Sequence, residues 1–109
     1  MQIPDHPFQL TEWQQIAPEI HQGITGTATW KILQLGPIRI RMVEYSAGYL
    51  ADHWCNKGHI IYCISGSMVT ELKDGSSFEM NAGMSYQVGD NSSAHRTSSK
   101  EGVTLFIVD

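Results

Sequence analysis

Residues 48–66 crowd together three side chains with metal-binding chemistry: His53, Cys55 and His59. Imidazole and thiolate are the usual protein ligands for borderline and soft transition metals. Alternation along a strand points His53 and Cys55 the same way. Asn56-Lys57-Gly58 is turn chemistry, and a tight turn there folds His59 back beside them. The residues specify a metal site and leave its substrate open.

Such a site needs a rigid frame, and the rest of the chain supplies strand signals. Residues 27–35 (TATWKILQL) are rich in β-branched and aromatic side chains, and Gly36-Pro37 marks a turn. Residues 38–45 (IRIRMVEY) alternate with the period of a half-buried strand. Ile38, Ile40, Met42 and Glu44 share one face, and Arg39, Arg41, Val43 and Tyr45 the other. The apolar set is expected to face inward. It would carry Glu44 in at its end, as a partner behind the metal ligands or as a proton acceptor; a strand-end glutamate turned to solvent is the favoured reading, and Arg39 and Arg41 are read as exposed edge charges. Strands are expected near 50–55 and 59–65, followed by a hairpin through Ser65-Gly66-Ser67 into 68–73. Further strands are expected at 77–80, 85–88, 94–98 and 103–108. Residues 1–26 form an N-terminal segment that packs on this body, with one helical turn capped by Thr11. Tyr45, Tyr62 and Tyr86 read as core or interface, with a pocket lining as the alternative, and Cys63 reads as core. The last strand is apolar on both faces, so a sheet or a second subunit must cover it. About nine or ten short strands without a substantial helix make an all-β antiparallel sandwich or barrel.

The totals narrow the functional classes. A chain of 109 residues holds one domain with one core. Seven Lys and Arg against eleven Asp and Glu, for a net charge of -4, make a poor nucleic-acid binder. No apolar run approaches the roughly 20 residues that cross a bilayer. The beginning, Met-Gln-Ile-Pro-Asp-His-Pro, lacks the pattern of a secretory leader, so a cytoplasmic location is expected. Cys55 and Cys63 are expected to be free thiols. Along a strand opening at His59, Cys63 stands about 13 Å onward, beyond the roughly 7 Å that a disulfide spans.

The motif residues resemble the cupin superfamily. Cupins carry a first motif G-x5-H-x-H-x3,4-E-x6-G and a second, G-x5-P-x-G-x2-H-x3-N. Here the first reads Gly48-x4-His53-x-Cys55-x3-His59-x6-Gly66. Cys55 stands at the second histidine position and His59 at the glutamate position, and the loop before His53 is one residue shorter. The second motif starts at Gly83, has Gly89 where proline is usual, places His95 one residue late and has Ser99 for asparagine. Asp52-His53-Trp54-Cys55 also resembles the small single-domain cupins described by a DHCW motif, with Trp and Cys exchanged.

The resemblance spans residues 27–108. It implies a jelly-roll β-barrel (a double-stranded β-helix) over residues 27–109, often homodimeric, holding one divalent transition metal through the four motif positions: His53, Cys55, His59 and His95. Three imidazoles and a thiolate suit zinc, while iron and nickel also accept such ligands. Exchange of His for Cys55 and of Glu for His59 makes the set softer than the usual three-His, one-Glu centre. Two readings follow. One is a metal-dependent oxygenase, lyase or isomerase acting on a small oxygenated molecule. The other is a non-enzymatic module that binds or senses a metal or small molecule.

Overall fold

The computed structural model describes residues 2–109. Nine strands follow a short 3₁₀ turn at Trp13–Gln15: β1 Glu19–Gln22, β2 Thr27–Leu35, β3 Ile38–Tyr45, β4 Tyr49–Leu50, β5 His59–Leu72, β6 Ser77–Asn81, β7 Ser85–Val88, β8 His95–Ser99 and β9 Val103–Val108. All strand pairings are antiparallel, in the order β1-β2-β3-β9-β5-β8-β4, with β6 and β7 also on β5. The sheet curls on itself into a barrel. No helix among the described residues is long and apolar enough to cross a membrane.

β5 joins the two halves of the barrel. Its first part pairs with β7 and β9, and its second with β6 and β8. No hairpin interrupts it at 65–67. A bulge between Cys63 and Ser65 bends the strand, and Gly66 follows at φ +79°. A Cβ on Gly66 would collide with the Gly102 carbonyl. The motif glycine therefore allows both a left-handed backbone and close strand packing.

The core lies between the halves, around Val43, Ile61, Cys63, Met68, Leu105 and Ile107. Register decides which face of β3 joins it. Val43 sits opposite Leu105 and Arg41 opposite Ile107. The inward face is therefore Arg39, Arg41, Val43 and Tyr45, the reverse of the expectation from alternation. Arg41 is only 4% exposed, and Glu44 turns to solvent. Simple alternation misleads because both faces are covered. Trp13 packs edge-on against Phe106, so the N-terminal segment shields part of the outer face. The inward arginines share one buried acid, Asp109.

Two N-terminal details also differ from expectation. Residues 19–22 are a strand that extends the sheet beside β2. The 3₁₀ turn begins after Glu12, and no side chain caps it, Thr11 included.

Candidate metal centre

The donors come from three places in the barrel. His59 opens β5, His95 opens β8, and Cys55 lies in the irregular segment 51–58. A two-way backbone bridge fixes Cys55 to His95, with Cys55 N donating to His95 O at 2.7 Å and the return bond at 3.0 Å. The ring of Trp54 anchors the same segment, lying under the Arg96 guanidinium at 4.6 Å and near the Lys73 ammonium at 5.4 Å. The sulfur of Cys55 and one nitrogen each of His59 and His95 come within 4.8 Å of one another. His59 Nε2 is 2.7 Å from His95 Nε2 and 3.9 Å from Cys55 Sγ.

His53 does not join them. Its side chain is 75% exposed, and its Nδ1 meets Asp52 at 2.6 Å. Parity fails as a guide because residues 51–58 are not a strand, so nothing obliges His53 to follow Cys55 inward. His53 still borders the cavity on which the other three open. Glu44, on the solvent face of β3, does not line that cavity. Tyr45 and Tyr86 do, whereas Tyr62 lies outside. Both cysteines are free.

The network behind the donors explains why they converge. His59 Nδ1 faces Asp109 Oδ2 at 3.1 Å, and His95 Nδ1 faces the Ser93 carbonyl at 2.8 Å. Arg41 donates to Asp109 at 2.8 Å and Arg39 at 3.0 Å, and the carboxylate is fully buried. Burial alone would raise the Asp109 pKa. Hydrogen bonds from His59 and Arg39, with the charges of Arg41 and Arg39, outweigh it and hold the carboxyl well below its usual range. Asp109 and the Ser93 carbonyl thus only accept, so each histidine carries its proton on Nδ1. A neutral ring then turns a lone pair at Nε2 toward the other ring and toward sulfur.

Three electron-pair donors facing one another call for a cation between them. In the metal-free protein a proton serves. Hydrogen bonds from His59 and His95 lower the Cys55 thiol to about 5. Burial would lower His59, but Asp109 and Cys55 raise it, and Cys55 raises His95 against its own burial. Thiolate and imidazolium share the site. The same arrangement fits a metal ion: ligating histidines characteristically donate their other N–H to a carboxylate or carbonyl, and a ligating cysteine must be a thiolate. Asp109 and Arg41 belong to this network, yet no local motif marks them. A conserved-looking spacing cannot reveal a contact made across 50 positions of chain.

The cavity in front of the donors measures about 140 Å³ and is bordered by Arg41, Tyr45, Tyr49 and Tyr86, among others. Two larger, more open grooves reach His59 or His95 alone. Of these three spaces, the inner cavity is the one that meets all three donors.

No protein-family model matches the sequence, and no curated protein matches it. Solved structures do match. A predicted oxalate decarboxylase from Thermotoga maritima superposes with a TM-score of 0.78 at 15% identity, over 92% of this chain and 96% of that one. An ectoine synthase from P. lautus gives 0.75 at 18% identity, over 93% and 76%. A cupin-2 domain containing protein from Shewanella frigidimarina gives 0.60 at 13%, over 82% of each. The barrel is a cupin fold. With it, this cupin-type chain carries a candidate Cys/His/His metal site, whose substrate is unassigned.

Proposed function

We propose that this cupin-type barrel is a small metal-dependent enzyme. One divalent ion is held by Cys55, His59 and His95, with a fourth position open to the inner cavity. The observation that carries this reading is the convergence of the three donors with both Nδ1 edges already held by acceptors. Three protein ligands beside a cavity are the pattern of catalytic rather than structural sites. A bound ion supplies Lewis acidity, activates a water, or exchanges electrons if it is iron. Asp109 fixes the tautomer and orientation of His59, and Ser93 does so for His95. Tyr45 and Tyr86 shield the site from bulk water. Exposed on the rim and paired with Asp52, His53 stays outside the coordination shell and is placed to pass protons to solvent.

Zinc and iron suit this donor set best, and nickel next. Ectoine synthase and the predicted oxalate decarboxylase are enzymes by name, which supports catalysis over plain binding. Two free cysteines fit a reducing compartment, and we place the protein in the cytoplasm. The outward row Ile60, Tyr62 and Ile64 on β5 supports a homodimer.

Metal content measured by mass spectrometry on untagged protein tests the centre. Wild type is expected to hold about one equivalent per chain, with Cys55→Ser losing most of it and His53→Ala keeping it. A wild type that neither carries metal nor takes it up removes the reading. Loss in His53→Ala returns that residue to the ligand set.

A further inference from the structure

We propose that the inner cavity receives a small carboxylate, gripped by the Arg41 guanidinium beside the metal centre. This names a substrate class for the proposed enzyme and rests on that reading only for the metal. The subsite itself is built from other residues.

Arg41 is 4% exposed, and one of its nitrogens holds Asp109 at 2.8 Å. Its Nε is buried and has no partner. Trp30 Nε1 is likewise buried and unpartnered, and the Arg41 guanidinium lies 4.7 Å above the Trp30 ring. Both residues border the cavity. Buried N–H groups are almost always satisfied, and leaving a charged one bare is costly. Two unfilled donors, one of them cationic, match a ligand with acceptor oxygens.

Charge points the same way. Arg39, Arg41 and Arg96 line the cavity, and no carboxylate lines it. Asp109, outside the lining, is shared by Arg39, Arg41 and His59 and cannot neutralise both guanidiniums. Arg96 is paired with Glu71. The barrel interior therefore carries an excess of positive charge where an anion is stabilised.

Size and shape narrow the class. A volume of about 140 Å³ equals four or five waters at roughly 30 Å³ each. That suits a carboxylate of about two to four carbons. A planar guanidinium matches the planar carboxylate. Tyr45 and Tyr49, stacked at 4.2 Å, offer a flat wall to the carbon part.

The test is binding of acetate, pyruvate and malonate against acetamide, pyruvamide and malonamide. It uses the cobalt-loaded protein, followed by cobalt absorption, and the metal-free protein, followed by calorimetry. At least one acid is expected to bind roughly tenfold or more tighter than its amide. Arg41→Lys keeps a charge opposite Asp109 but loses the Nε–H and the planar fork. It is expected to weaken that acid by roughly tenfold or more, in the metal-free protein as well as in the cobalt-loaded one. Trp30→Phe, which deletes the other unfilled donor and keeps the wall, gives the same direction should Arg41→Lys fail to fold. Acids and amides binding alike, no acid binding, inorganic phosphate preferred to every acid, or affinities indifferent to both substitutions overturn the proposal. Protein that holds cobalt and ignores the acids loses the carboxylate subsite and keeps the metal centre. Protein that takes no cobalt but binds an acid through Arg41 does the reverse.

Discussion

At the scale of single residues, Cys55 is the group that most departs from its ordinary chemistry. An unperturbed thiol is largely protonated at neutral pH. Hydrogen bonds from two imidazoles lower the Cys55 thiol to about 5, which favours the thiolate at neutral pH. Alkylation of the metal-free protein by iodoacetamide is therefore expected to keep nearly constant speed from about pH 9 to about pH 6, then to halve near pH 5. Cys63, buried and with its pKa raised, should stay unmodified in the folded protein. A Cys55 rate that falls about tenfold per pH unit from pH 8 downward would show that no such ion pair exists. Cys55 and His59 are legible because their types and spacing are local, whereas His95, far along the chain, is reached only through the cupin resemblance. His53 escapes the parity rule because its segment is not a strand. Arg41 and Asp109 were illegible for a different reason: each is an ordinary charged residue until folding brings them together across 68 positions.

At the scale of elements, β5 decides the architecture, and Gly66 decides β5. Its positive φ and its contact with the Gly102 carbonyl both exclude a side chain. Gly66→Ala is expected to destabilise the barrel by more than about 2 kcal/mol in chemical unfolding, whether or not metal is present. A loss below about 0.5 kcal/mol would mean that the bend relaxes freely. Most strands could be placed from sequence, since turn residues and β-branched runs mark them locally. The hairpin expected at 65–67 is instead a bend within one strand, because glycine serves a bulge as well as a turn. The inward face of β3 was inverted for a related reason. Alternation reports two faces, but which one is covered depends on β9 and the N-terminal segment, both remote in sequence.

At the scale of the whole molecule, one barrel surrounds one cavity, and its outer wall leaves an apolar row uncovered. Ile60 on that row is 49% exposed. Sedimentation velocity is expected to give a dimer at micromolar concentration, and Ile60→Lys with Ile64→Lys should return it to monomer without loss of metal. A wild type that sediments as monomer throughout would remove the dimer. The span of the site along the chain carries a further consequence, for folding. His59 meets His95 across 36 positions and Asp109 across 50. Closing loops of that length is entropically expensive and slow, so the ligands are scattered until the distant strands have paired. A zinc finger gathers its ligands locally and folds around its ion. Here the order would reverse: a metal would meet donors that the closed barrel has already gathered.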